Sequence, residues 1–130
     1  MEPAAPIGLT VLIVDDDEPL VVALTEMLED EGYNVVAASD GQAALDELHR
    51  GLRPCVILLD LMMPGMNGWD FRQRQTSDDD LKDLPVIVMT AGAFTEAAVK
   101  AQLGDVALVP KPPSLQPLLE AIRQHCPHLR

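Results

Sequence analysis

The sequence predicts an α/β domain, an open parallel sheet with helices on both faces. Three observations carry that reading. Short apolar runs recur along the chain and are continuous rather than alternating, the pattern of strands buried on both faces. Between them lie segments that open on Asp, Ser or Thr, the residues that cap helices. Five strands alternating with five helices are too few to close a barrel, and right-handed crossovers place the helices on both sides of an open sheet.

The elements follow in order. Met1 to Gly8, with Pro3 and Pro6, reads as a flexible leader, so the domain is expected over residues 9–126, with 127–130 a short tail. Thr10-Val-Leu-Ile-Val14 is the first strand and ends abruptly in Asp15-Asp16-Asp17-Glu18. Pro19 suits the first turn of a helix capped by Asp17 or Glu18, running to about Asp30 and stopped by Gly32. Asn34 to Ala38 is the second strand, and Ser39-Asp40 caps a helix from about Gly41 to Arg50. Pro54 introduces the third strand, Cys55-Val-Ile-Leu-Leu59, which again ends in an acid, Asp60. A loop rich in turn residues, Leu61 to Gly68, leads to a helix from about Trp69 to Gln75 and a polar stretch from Thr76 to Asp83. Pro85 to Met89 is the fourth strand and ends at Thr90. Thr95 caps a short helix to about Leu103, with Gly104 at its end. Val106 to Val109 is the fifth strand and runs into Pro110-Lys111-Pro112-Pro113. Ser114 caps a last helix to about His125, where Pro117 is tolerated because it falls in the first turn.

Composition bounds the function. The 130 residues suit one domain; they are 48% hydrophobic with mean hydropathy +0.10, so the chain is globular. Twenty-one acids against nine Lys and Arg give a net charge of −12. That balance argues against nucleic acid and against anionic membranes as partners. Aromatics at 3% leave an aliphatic core and no stacking platform for single strands. No apolar run reaches the roughly eighteen residues of a membrane span, and Met1 to Gly8 does not resemble a signal peptide. The expected location is cytoplasmic. Two cysteines are too few to staple a secreted mini-domain, nothing in the sequence points to oxidation, and Cys55 is expected to be a small buried hydrophobe. His125-Cys126-Pro127-His128 is expected to be a surface tail, since two His and one Cys make no complete metal shell. Trp69 and Phe71 read as packing residues, and Asp78 to Asp80 as a solvated loop.

In open sheets, sites form beyond the carboxyl ends of the strands. There the sequence places Asp15 and Asp16, Asp60, Thr90 and Lys111. Singly, each has an ordinary reading: a helix cap or solvated loop, a strand-end hydroxyl, a surface lysine. Their gathering at the same ends of four strands is what chance would not produce. Three carboxylates in one cleft repel one another unless a cation intervenes, and oxygen-only ligands with waters suit Mg2+. A metal, a lysine and a hydroxyl around a carboxylate are the groups that stabilise the spread charge of a transferring phosphoryl group.

The segments Val14-Asp-Asp-Asp17, Leu59-Asp-Leu-Met-Met-Pro-Gly-Met-Asn-Gly68, Val88-Met-Thr90 and Lys111-Pro112 resemble the motif set of response-regulator receiver domains, the chemotaxis-receiver-like modules of two-component signalling. The spacings of 44 residues from Asp16 to Asp60 and 30 from Asp60 to Thr90 fit, and the resemblance runs from about Thr10 to His125. It implies a flavodoxin-like (βα)5 fold with strand order 2-1-3-4-5. It also implies a phosphoacceptor rather than an enzyme, one that assists its own phosphorylation and dephosphorylation. Asp60 would take a phosphoryl group from a sensor histidine kinase or phosphotransfer protein. Asp16, Asp60 and the Met62 carbonyl would ligate Mg2+, with Asp15 acting through water. Lys111 would pair with Asp60 or the phosphoryl group. Thr90 would turn inward to the phosphoryl oxygen and alter a protein-binding face around the fourth helix, fifth strand and fifth helix. The Lys111–Pro112 bond is implied to be cis.

One position departs from the family. Leu108 stands where an aromatic switch residue is common, three positions before the lysine. Leucine gains little by swinging between buried and exposed states, so signalling is expected to rely on Thr90, the Ala91 to Thr95 loop and the fourth helix. Two other readings compete with this one. A haloacid-dehalogenase-type phosphohydrolase is similar at Asp15-Asp16-Asp17 but needs an acidic pair after the lysine, and beyond Lys111 there is only Glu120. A degenerate receiver that binds partners without phosphorylation is countered by the presence of all five site residues.

Overall fold

In the computed structural model, residues 9–92 and 94–126 are described. The apolar runs form strands β1 (Thr10–Val14), β2 (Asn34–Ala38), β3 (Val56–Asp60), β4 (Val86–Thr90) and β5 (Ala107–Pro110). They alternate with helices α1 (Glu18–Asp30), α2 (Gly41–His49), α3 (Gly68–Thr76), α4 (Glu96–Leu103) and α5 (Leu115–His125). All pairings are parallel and the order is β2-β1-β3-β4-β5, the flavodoxin-like arrangement. The leader and tail expected at residues 1–8 and 127–130 lie outside the described residues.

The continuous apolar runs conceal a two-residue alternation. Leu12, Val14, Ile57, Leu59, Val86 and Val88 face one layer, packed with Leu45 and Leu48 of α2, Phe71 of α3 and Val99 of α4. Val11, Ile13, Leu58, Ile87 and Met89 face the other, packed with Leu24 and Leu28 of α1 and Leu118, Leu119 and Ile122 of α5. Each fully buried Leu or Ile contributes about 2 kcal/mol. Two such layers hold the sheet rigid, and that rigidity fixes its polar carboxyl edge.

Capping sets most helix starts. The side chains of Asp17, Asp40, Asn67 and Thr95 accept backbone N–H bonds from Leu20, Ala43, Asp70 and Ala98 at 2.8 to 3.3 Å. Asn67 is the cap that starts α3 at Gly68, one residue before the expected Trp69. Ser114 precedes α5 as expected but makes no side-chain cap bond. Strands β3, β4 and β5 each begin one residue later than the sequence suggests; β5 ends on Pro110, and β3 and β4 take in Asp60 and Thr90. Those polar residues still pair, Asp60 with Met89 and Thr90 with Pro110, because their backbones continue the ladder whatever the side chain.

The expectation for the cysteines is corrected. Cys55 and Cys126 are joined by a disulfide across a sequence separation of 71, with Cα atoms 5.1 Å apart. Cys126 is fully buried in the α1/α5 layer rather than on a surface tail. Cys55 is half-buried beside that layer, just before β3. Folding brings the end of α5 onto the start of β3, a proximity that no local sequence feature records.

A buried polar network on α3 was also not foreseen. Arg72 donates from Nε to the Leu103 carbonyl and from Nη1 to Gln75 Oε1, both at 2.9 Å. Gln75 Nε2 donates to the carbonyls of Leu81 and Leu84 at 2.8 and 3.0 Å. The network ties α3 to the end of α4 and fixes part of the polar stretch before β4.

Gly68 is where the Leu61–Gly68 loop closes on the end of β3. Its N–H donates to the Leu61 carbonyl at 3.1 Å. A Cβ there would collide with the Asp60 carbonyl oxygen and lie 2.8 Å from Leu61 Cα. Backbone cannot yield as a flexible side chain can, so Gly68→Ala is expected to lower unfolding free energy by about 1–3 kcal/mol. Urea denaturation measures it; an unchanged midpoint would show that the loop accommodates the methyl group.

Candidate functional site

The parallel sheet delivers the carboxyl ends of β1, β3, β4 and β5 to one edge. Asp15 follows β1, its N–H donating to the Ala38 carbonyl at 3.0 Å, and its side chain is almost wholly buried. Asp16, next in the chain, is exposed. Asp60 closes β3 and is 5% exposed. Carboxylate oxygens of these three residues lie within 4.8 Å of one another. Lys111 enters from beyond β5, its ammonium 3.0 Å from Asp15 Oδ2 and 3.3 Å from Asp60 Oδ2.

Local structure holds each group. Lys111 N–H donates to the Thr90 carbonyl at 2.8 Å, extending the β4–β5 ladder, and Lys111–Pro112 is cis as the resemblance implied. The Asp17 N–H donates to Asp15 Oδ1 at 2.9 Å. The Met62 N–H donates to Asp60 Oδ1 at 3.3 Å. Thr90 is 8% exposed, and its hydroxyl accepts the Gly92 N–H at 3.4 Å.

The charges do not balance. Burial, and then the neighbouring Asp15 charge, push the Asp60 carboxyl above the ordinary carboxylate value; the Met62 N–H and Lys111 offset only part of this. For Lys111, burial disfavours the ammonium, but the hydrogen bond and charge of Asp15, followed by Asp60, outweigh it and raise its pKa. Asp15 Oδ2 is fully buried and accepts no well-aligned hydrogen bond, so its compensation is the ionic contact with Lys111. One ammonium thus contacts two of the three clustered carboxylates. An oxygen-only donor set with excess negative charge, and with Asp16 open to solvent, fits a hard divalent cation such as Mg2+.

The carboxylates border an open cleft of about 450 Å³ lined by Asp16, Asp17, Asp60, Leu61, Met62, Thr90, Ala91, Phe94 and Lys111. Every residue expected at the site is therefore at or beside it. Met62 contributes backbone, its side chain being 64% exposed. Leu108 is half-buried against the α2/α3/α4 layer. Asp17 and Phe94 were missed. Asp17 could have been suspected as the third acid of its run; Phe94, in the loop after β4, carries no sequence signal beyond being aromatic. Phe94 stacks edge-to-face on Trp69, ring centroids 5.3 Å apart, which connects the cleft to α3.

Because Asp60 bears a burial and repulsion penalty only when ionised, Asp60→Asn is expected to stabilise the metal-free protein at pH 7. The sign follows from the raised pKa: the protonated form is favoured by folding, so the penalty is absent in acid and appears as pH rises through the folded-state value. The variant's gain in Tm therefore shrinks towards zero at acid pH. Mg2+ is expected to raise the Tm of the parent protein more than that of the variant. Thermal unfolding with and without Mg2+ tests both; a variant less stable at pH 7 would contradict the electrostatic account.

The response regulator receiver domain family matches residues 11–123. The transcriptional regulatory protein CpxR of Escherichia coli K12 is 40% identical over 116 residues, covering 87% of this chain and 47% of CpxR. Response regulator MprA of Mycolicibacterium vanbaalenii is 37% identical over 114 residues, 87% of this chain and 48% of MprA. The chain spans about half the length of the curated relatives it matches. Among solved structures, a putative response regulator from Chloroflexus aurantiacus superposes with a TM-score of 0.81 at 29% identity, covering 88% of this chain and 94% of that one. Vibrio cholerae chemotaxis protein CheY4 gives 0.80 at 28% identity, covering 89% and 97%. A family match that spans nearly all the described residues, over a sheet of the same order and an acid–lysine cleft at its edge, makes this chain a member of the response regulator receiver domain family.

Proposed function

We propose that Asp60 is the phosphoacceptor of a two-component phosphorelay, taking its phosphoryl group from a phosphohistidine of a sensor histidine kinase or phosphotransfer protein. The observation that carries this reading is the position of Asp60: a buried carboxylate bordering an open cleft, held between the Met62 N–H and the Lys111 ammonium. One Asp60 oxygen forms the new P–O bond as the P–N bond to the histidine breaks, and the imidazole departs with the electron pair. Lys111 is placed to pair with a phosphoryl oxygen. The Thr90 hydroxyl can leave the long bond from Gly92 and donate to another. Asp16, Asp60 and the Met62 carbonyl, with Asp15 behind them, would hold Mg2+, which would supply the charge neutralisation that a phosphate needs beside three acids.

The output follows from Thr90. Turning its hydroxyl towards the phosphoryl group removes the acceptor from Gly92, which adjusts the loop into α4 and changes the α4–β5–α5 face for a downstream protein. With Leu108 in place of an aromatic, the signal is carried by this loop and helix. The chain acts as a phosphoacceptor and signalling module rather than as an enzyme on a separate substrate. The acidic balance of the chain as a whole supports protein partners, not nucleic acid or membrane, and a kinase-facing receiver belongs in the cytoplasm.

Incubation with acetyl phosphate and Mg2+ is expected to add one base-labile phosphoryl group by intact mass, with no gain in Asp60→Ala or after removal of the metal. Lys111→Ala is expected to slow the gain by about a hundredfold or more. No gain with any donor would make the chain a phosphorylation-independent binding module. Between resting and phosphorylated forms, amide shifts are expected to change across Ala91 to Gly104. Identical shifts throughout that segment would remove the Thr90–α4 relay.

A further inference from the structure

We propose that Cys55 and Cys126 form a reversible thiol–disulfide latch that fastens the end of α5 to the start of β3, with Cys55 the sulfur through which it opens and closes. The two Cα atoms, 5.1 Å apart, lie within bridging distance without backbone movement. The cysteines differ in access. Cys126 is fully buried just past the last residue of α5, whereas Cys55 is half-buried at the rim of the sheet. A small thiol or disulfide therefore meets Cys55 first.

The surroundings suit both states. Cys55 Sγ lies 3.4 Å from the Thr10 carbonyl oxygen, an acceptor ready for the thiol once the bridge opens. Leu118, Leu119 and Ile122 bury α5 against the sheet, and Arg123 pairs with Glu31 of the α1 end at 3.7 Å, so the helix keeps its seat without the bridge. What the bridge adds is the fixed position of the residues around Cys126. In a reducing compartment, the setting of the function proposed above, a protein disulfide is transient or redox-sensing rather than a permanent staple.

Closure is written as thiol–disulfide exchange with a low-molecular-weight disulfide of the glutathione class. The Cys55 thiolate attacks one sulfur of that disulfide, forming a mixed disulfide and releasing one thiol. The Cys126 thiolate then attacks Cys55 Sγ and releases the second. Two electrons and two protons pass from the cysteine pair to the reagent; opening runs the same steps backwards.

The test equilibrates the full chain in buffers of varied reduced-to-oxidised glutathione ratio, then quenches with acid and alkylates with maleimide under denaturing conditions. Intact mass is expected to show molecules with either no label or two, interconverting within the glutathione range. Hydrogen exchange around Ile122 to Cys126 is expected to quicken on reduction, on the order of tenfold, with β1 unchanged. Cys126→Ser is expected to accumulate a glutathione adduct on Cys55, and Cys55→Ser to leave native Cys126 unmodified. A bridge that never closes, or one that stays closed in excess reduced glutathione, would overturn the proposal. So would equal exchange in the two states, or adducts formed equally fast on either cysteine. None of these readouts involves phosphorylation, so they stand apart from the test of Asp60.

Discussion

The ammonium of Lys111, shared between Asp15 and Asp60 at 3.0 and 3.3 Å, is the interaction on which the acidic edge of this domain depends. Two carboxylates within 4.8 Å repel by about 3 kcal/mol at an effective dielectric near 20, and here three are gathered. A loose chain would relieve that strain by moving apart. This one cannot, because β1 and β3 are locked side by side, and Val14, Leu59 and the residues behind them are fully buried. The two aliphatic layers thus hold the repulsion in place, and Lys111 makes it bearable. A cleft kept short of positive charge in this way suits a hard divalent cation.

Much of the fold was legible because its determinants are local. Strand β1 and strand β2 have the bounds read from their apolar runs; Thr95 caps the helix it was expected to cap, and Asp17 and Asp40 are the ones that cap from the pairs Asp17/Glu18 and Ser39/Asp40. The errors of one residue at β3 and β4 share a cause: a polar side chain marks the end of hydrophobicity, but Asp60 and Thr90 continue the backbone ladder. The site was legible for a different reason. A parallel sheet sends every carboxyl end to the same edge, so residues tens of positions apart could be placed together from topology alone. What stayed hidden depends on contacts with no local signature. Arg72 and Gln75 look like an exposed helical face until the end of α4 and the Leu81 and Leu84 carbonyls close over them. The Cys55–Cys126 pairing arises only once α5 has docked.

Coupling between the cleft and the surface needs an element with two arrangements. Leu108 is a poor candidate: half-buried against the α2/α3/α4 layer, it has no polar end that water would reward. Phe94 is differently placed. It lines the cleft and rests on Trp69 at the start of α3, while Thr90, four residues earlier, holds Gly92 by a bond of 3.4 Å. That bond is long and easily exchanged, whereas the aromatic contact is broad. In the proposed relay a rotation of Thr90 would act on the weak end of the loop and leave Phe94 as its pivot.

The two ends of β3 carry opposite chemistries, and their separation decides how one can affect the other. Five residues of strand put Cys55 about 16 Å from Asp60. That exceeds the Debye length of roughly 8–10 Å at physiological salt, and closing a disulfide between neutral thiols changes no charge. The strand between them, Val56 to Leu59, is fully buried and closely paired on both sides, so it does not slide. Oxidation therefore has no electrostatic route to Asp60 and no route through β3. Its remaining route is α5, the helix that Cys126 terminates, and α5 borders the face proposed to meet the downstream protein. The latch then bears on the reading of the signal rather than on the chemistry that writes it.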